Sequence, residues 1–205
     1  MNYQVKMIEI LNNFKTKQKL LLHACCAPCS SAVLEAISKY FDITILYYNP
    51  NITSIEEYNK RYEELKVFIS KINFENKVDI LNVEYNNQDF FDAVKGLEQE
   101  KEGGMRCYEC YKLRMGKTAV LAKELGYDYF TTTLSISPYK NASYINEIGE
   151  ALEKEIKVKY LYADFKKKNG YKRSLELSKK YNLYRQDYCG CIFSKIERRK
   201  KSEIG

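Results

Sequence analysis

A chain of 205 residues with 45% hydrophobic content is long enough to bury a substantial core, and residues 1–205 are expected to form a single catalytic domain. No stretch is long and apolar enough to cross a bilayer, and residues 1–18 lack a leader's apolar run and cleavage pattern, which excludes a membrane enzyme and predicts a cytoplasmic one. The formal charge of +7, with denser basic groups at Lys166–Lys168 and Arg198–Lys201, favours polyanionic partners, although an isolated charge run is more often plain solvated surface.

Leu20, Leu21 and Leu22, leading to His23 and Ala24, read as a buried strand, and Val33, Leu34 and Ile37 give the segment Ser30–Tyr40 a helical spacing. Ile43–Tyr48 is a second strand, ended by Asn49 and Pro50, and Ile55–Ile69 an amphipathic helix. A third strand, Val78–Val83, precedes a short helix over Gln88–Val94. The loop Glu102–Gly104 leads to a long helix over about Tyr108–Leu125, stopped by Gly126. Tyr129–Leu134 is rich in β-branched residues and reads as a fourth strand. A turn at Ser137 and Pro138, a helix over Ser143–Lys154, a short edge strand over Val158–Tyr162 and a helix over Tyr171–Tyr181 follow. Strands alternating with helices predict an α/β fold, a Rossmann-like, largely parallel sheet covered on both faces.

All seven cysteines fall into three short clusters: Cys25, Cys26 and Cys29; Cys107 and Cys110; Cys189 and Cys191. A reducing cytoplasm does not favour structural disulfides, so such clusters point to metal or redox chemistry. In a doubly wound sheet the loops at the carboxyl ends of the strands form the site, and the first cluster follows the first strand directly. The next helix turns its positive end toward that loop, which favours thiolates. Cys107 and Cys110 are close enough to chelate one centre, and with two thiols of the first cluster they make four, a set that suits structural zinc or an iron-sulfur cluster. Adjacent cysteines such as Cys25 and Cys26 are unusual in a zinc ribbon, which argues for the cluster. Cys189 and Cys191 flank Gly190, whose backbone freedom suits a strained, easily reduced disulfide, while a second metal site is the competing reading.

Three motifs, His23-Ala24-Cys25-Cys26-Ala27-Pro28-Cys29-Ser30-Ser31, Cys107-Tyr108-Glu109-Cys110 with Arg114, and Asp187-Tyr188-Cys189-Gly190-Cys191, resemble those of the cobalamin-independent epoxyqueuosine reductases. Thr131–Asn141 also matches that family's pattern, so the likeness covers about residues 20–194 and leaves a basic tail at 195–205. The resemblance implies a domain akin to the nucleotide α-hydrolases. It also implies a [4Fe-4S] cluster on Cys25, Cys26, Cys107 and Cys110, and a redox-active disulfide between Cys189 and Cys191. A further mononuclear iron beside the cluster would find candidate ligands in Cys29, Asp187 and the last two cysteines. No cobalamin is implied.

The reaction so implied reduces epoxyqueuosine to queuosine at the wobble position of a tRNA, the last step of queuosine biosynthesis. It consumes two electrons and two protons, which a dithiol releases on becoming a disulfide. Asp187 or Tyr188 stands beside the redox pair as a candidate general acid, though an aspartate there also suits a turn. The single histidine, His23, reads as a packed, hydrogen-bonding residue. A tRNA loop calls for cationic phosphate contacts and aromatic stacking, for which Tyr139, Lys140, Asn141 and Arg114 are candidates. Electrons would come from a ferredoxin, a flavodoxin or a thiol system. Two other classes share these residue types, a thioredoxin-like protein disulfide oxidoreductase and a non-enzymatic zinc-stabilised RNA-binding protein, and the ordered third motif argues against both.

Overall fold

The computed structural model describes residues 2–204; Met1, Gly205 and the side chains of Lys201 and Ile204 lie outside the described residues, and with them part of the terminal basic group. Five strands, β1 (Gln18–His23), β2 (Phe41–Tyr47), β3 (Val78–Asn82), β4 (Tyr129–Thr132) and β5 (Lys159–Tyr160), form one sheet in the order β3-β2-β1-β4-β5. Every pairing is parallel, as the alternation of strands and helices requires.

The register sorts the side chains onto two faces. Leu20 pairs with Ile43 and Tyr129, and all three belong to one apolar cluster; Leu21 pairs with Phe130, and both belong to the other. The first face is covered by α2 (Ala27–Ile37), α3 (Ile55–Ser70) and α7 (Gly170–Lys180), the second by α5 (Met105–Glu124) and α6 (Ala142–Ile156). Leu20, Leu21 and Leu22 are fully buried, each removal of such a side chain from water being worth about 2 kcal/mol. The expected fold, a parallel sheet with helices on both faces, is the one observed.

Element ends differ from the expectations for local reasons. The long helix begins at Met105, directly after Gly103 and Gly104, so that Cys107 and Cys110 both lie in its first two turns. Gly126, at φ +70°, closes it: the Gly126 and Tyr127 amides donate to the Lys123 and Ala122 carbonyls, the left-handed stop that glycine permits. The fourth strand ends at Thr132, whose hydroxyl accepts the Leu134 amide at 3.2 Å and starts a 3-10 turn over Thr133–Ile136. Two helices lie where the sequence reading placed none. α1 (Tyr3–Asn12) is capped by Asn2 and buries Met7 and Leu11. The segment read as a basic tail is α8 (Ile192–Ile204), joined to the body by an Arg106–Glu197 ion pair of 2.7 Å. A short helix, α4 (Gln88–Ala93), completes the set. Phe14 meets Phe41 and Tyr129 at ring separations of 5.2 and 5.4 Å, closing the end of the sheet where β2 and β4 begin and leaving the opposite end for chemistry.

Candidate active site

From β1 the chain proceeds to β2 on one side, and from β4 to β5 on the other, so the loops after β1 and β4 diverge and leave a crevice. A cleft of about 300 Å³ opens there, lined by Cys25 and Cys29 after β1, by Ser137–Lys140 after β4, and by Arg185–Cys189 before α8. That volume is within the range of small-molecule sites.

The first three cysteines form a tight group, their sulfurs all within 4.8 Å of one another. Cys25 and Cys26 Sγ are 3.7 Å apart. Cys26 is the N-cap of α2 and accepts the Cys29 amide at 3.4 Å, and the Gln186 side-chain amide donates to it at 3.2 Å. Hydrogen bonds from the Cys26 and Cys29 thiols, aided by the charge of Lys140, hold Cys25 well below the ordinary thiol range. Donating its proton to Cys25 pushes Cys26 up to about 12. Within this group the shift toward thiolate falls on Cys25, and it comes first from hydrogen bonds with the other two thiols.

The remaining four cysteines meet around a second, much smaller void of about 10 Å³, which Cys107, Cys110, Cys189 and Cys191 line together with Arg114. Cys107 accepts the Gly103 amide at 3.2 Å and Cys191 the Ser194 amide at 3.4 Å. Burial raises Cys107, Cys110 (to about 11) and Cys191. All seven cysteines are free thiols in the structure. Lys140 connects the two groups: its Nζ donates to Cys189 Sγ at 3.4 Å. Burial opposes the Lys140 charge, yet Cys189 and Tyr111 hold its pKa well above the ordinary lysine value. The three sequence clusters are thus gathered at one end of the sheet, with Cys25, Cys26 and Cys29 in mutual contact and Cys107 and Cys110 grouped with Cys189 and Cys191.

The Cys189-Gly190-Cys191 loop is held by backbone contacts. Arg61 Nη1 donates to the Cys189 carbonyl at 3.2 Å, and the Thr53 amide to the Gly190 carbonyl at 3.2 Å. Gly190 has φ +115°, a conformation that side chains rarely adopt. Arg61, on α3, is buried and paired with Glu57 at 2.6 Å, and Glu57 also accepts the Tyr184 hydroxyl at 3.2 Å. The sequence reading did not single out Arg61. Its only local signal is the Glu57–Arg61 spacing of four on a helix, which by itself suggests a surface pair.

His23 is fully buried, with Nε2 3.1 Å from the Tyr48 carbonyl and Nδ1 2.8 Å from the Thr132 hydroxyl. A carbonyl only accepts, so Nε2 carries the hydrogen and Nδ1 accepts from Thr132. Burial and then Arg114 push its pKa down to about 3, and the ring is a neutral structural link between β1, β4 and the end of β2. Arg114 is buried, donates through Nε to the Cys110 carbonyl at 3.1 Å and leaves Nη2 without a hydrogen-bond partner. Asn141 Oδ1 caps α6 by accepting the Ser143 and Tyr144 amides at 2.9 and 3.3 Å, and that carbonyl serves the helix. Tyr139 is 65% exposed at the cleft, and Asp187 is exposed on its rim.

Residues 20–197 match the family described as epoxyqueuosine reductase QueH. A relative of that name from Streptococcus pyogenes serotype M1 is 42% identical, over 92% of this chain and 75% of its own. Another from Staphylococcus epidermidis is 41% identical, over 96% and 85%. A third, from Thermotoga maritima, is 36% identical over 89% and 93%. A solved structure from Methanocaldococcus jannaschii, described as a predicted tRNA methyltransferase subunit, is similar over 78% of this chain at 12% identity and a TM-score of 0.46, too distant to bear on the site. With the three cysteine motifs meeting at one end of the sheet and a match spanning residues 20–197, this chain belongs to the epoxyqueuosine reductase family.

Proposed function

We propose that the chain reduces epoxyqueuosine to queuosine at the wobble position of tRNA, as one catalytic unit acting in the cytoplasm. The observation that carries this reading is the gathering of all three cysteine motifs at one end of the sheet, in the crevice between β1 and β4 and in the void that shares Cys189 with it, within a chain that matches the reductase family over residues 20–197.

Removing the epoxide oxygen leaves a carbon-carbon double bond and water, and takes up two electrons and two protons. Cys189 and Cys191, oxidised from dithiol to disulfide, release two of each. Cys189 lines both the cleft and the smaller void, so it reaches the substrate while its partner, Cys191, stays buried. Lys140 holds a positive charge against the Cys189 sulfur, Asp187 stands on the rim as the proton donor to the departing oxygen, and Tyr139 offers an exposed ring for stacking.

The donor set also suits a [4Fe-4S] cluster on Cys25, Cys26, Cys107 and Cys110. Cys25 and Cys26 are closely grouped with Cys29, while Cys107 and Cys110 line the neighbouring void, and all are soft thiols, the choice for iron-sulfur or zinc. The buried Arg114, with Nη2 unpartnered, and Lys140 supply cations that offset the negative charge of such a centre. Cys29 remains for a further mononuclear iron. Bound there, a cluster would supply one-electron transfer beside the two-electron thiol pair.

Anaerobic purification, visible and EPR spectra, iron and sulfide analysis, and incubation of the reduced protein with epoxyqueuosine-containing tRNA test the proposal together. Brown protein that yields queuosine is the expected result. Colourless protein holding only zinc, or cluster-loaded protein that leaves the epoxide intact, would overturn it. Cys189→Ser should keep its iron and lose turnover; full single-turnover activity in that variant would remove the thiol pair from the chemistry.

A further inference from the structure

The helix α8 starts immediately after Cys191 and presents two different faces. One side is bonded into the protein, with Glu197 paired to Arg106 and the Phe193 ring 4.7 Å from the Arg106 guanidinium carbon. The other carries Lys195, Arg198, Arg199 and Ser202, at the spacing of three, four and seven that aligns residues along one helical face. These four line a surface groove of about 450 Å³ together with Asp187 and Tyr188.

Three features give this face a direction. Asp187, Tyr188 and Arg198 also line the thiol-bearing cleft, so groove and cleft are continuous. Among the described residues no carboxylate lies within ion-pair distance of Lys195, Arg198 or Arg199, whereas Arg106, buried on the opposite side, has its Glu197. The cations stand against aromatic rings instead: Arg198 lies 5.4 Å from the centroid of the exposed Tyr139, and Lys195 5.9 Å from that of Tyr188. Unpaired cations keep their charge for a partner, and an arginine beside an exposed tyrosine is a suitable seat for a base and its phosphate.

We propose that this face of α8 is where the RNA backbone next to the reacting nucleotide is held, with Lys195, Arg198 and Arg199 contacting phosphates and Tyr139 stacking on a base at the cleft mouth. The inference rests on the proposed reaction and extends it from the nucleotide in the cleft to the strand leaving it. A cleft of about 300 Å³ admits one modified base, so the flanking phosphates must pass along its rim. Because α8 starts immediately after Cys191, a strand held along the helix lies next to the thiol pair in the chain. An acidic protein surface is the other class of partner that unpaired cations attract; the exposed aromatic ring and the continuity with the cleft favour RNA.

The test is the affinity of the full-length protein for epoxyqueuosine-containing tRNA across a series of salt concentrations, with the wild type compared with Lys195→Ala/Arg198→Ala/Arg199→Ala, alongside queuosine formation by each. Three lost contacts at about 0.7 counter-ions each on a single strand lower the salt slope by about two, and weaken binding by about 100-fold near 0.1 M salt. Circular dichroism and an unchanged thermal midpoint establish that the substitutions leave the fold intact. Unchanged affinity and slope in the variant, beside a wild type that forms queuosine, would overturn the inference and leave the proposed reaction standing; so would normal RNA binding with slower electron delivery from an acidic donor protein. A wild type that binds tRNA but forms no queuosine would instead overturn the proposed reaction, and the assignment of this face with it.

Discussion

Gly190 sits between the two last cysteines at φ +115°, and a Cβ built there would lie 2.9 Å from Ile52 Cγ1 and 3.3 Å from Arg61 Nη1. Both neighbours are buried, with Ile52 at 0% and Arg61 at 1% exposure, so neither can swing into solvent. Gly190→Ala therefore incurs two costs, about 1–3 kcal/mol for a side chain at that φ and about 1–3 kcal/mol for overpacking, or roughly 4 kcal/mol together. Gly103 provides the control: its φ is +94°, but nothing lies within 4 Å of a built Cβ, so Gly103→Ala incurs the backbone cost alone. Urea titrations followed by circular dichroism, on proteins reduced and purified identically, should separate the two variants by about 2 kcal/mol. At a slope of roughly 2 kcal/mol/M that is a difference of about 1 M in midpoint. Equal midpoints would refute the claim that Ile52 and Arg61 close around the loop, and would leave only a generic preference for glycine.

Arg61→Met should destabilise the fold by about 3 kcal/mol, since it leaves the mostly buried Glu57 carboxylate without its cation, with only the Tyr184 hydroxyl as donor, and the Cys189 carbonyl without its donor; the urea midpoint measures it, and a loss under about 1 kcal/mol would show that the guanidinium does not hold the loop. Glu35 on α2 receives two hydrogen bonds of 2.7 Å from Arg173 on α7, and this pairing lowers its pKa. A carboxylate depressed on folding adds stability above its unfolded pKa of about 4.3, and that stability is lost as pH falls through the folded value. Both side chains are nearly half exposed, so the contribution is at most about 1 kcal/mol. The stability-against-pH curve of Glu35→Gln should run below the wild type above about pH 4.3 and join it in stronger acid; a constant offset would mean packing, not charge.

The structure brings different parts of the sequence reading to different outcomes. Helix α6 and strands β1 and β2 were legible because each carries a strong period or an apolar run bounded by turn residues. Helix α8 was not: the basic run Arg198–Lys201 hides its period, and what attaches it is the ion pair from Glu197 to Arg106, 91 residues away in sequence. Helix α1 was equally obscure, because Met7 and Leu11 are its only fully buried side chains. At the site, Asn141 illustrates a local signal with two readings. An asparagine after a strand end suits both a contact with a bound nucleotide and a helix cap, and the Ser143 and Tyr144 amides occupy its carbonyl.

By itself, the sequence determined what depends on neighbours along the chain: the alternation of strands and helices, the three cysteine spacings, and the backbone freedom that a glycine gives at position 190. Only the tertiary structure decided the strand order. With β4 beside β1 instead of at an edge, the loop carrying Tyr139 and Lys140 faces the loop carrying Cys25, and Lys140 reaches Cys189, 49 residues further on, at 3.4 Å. Such contacts arise from how the two apolar faces of the sheet are covered, which is a property of the whole packed chain and leaves no mark on any short segment.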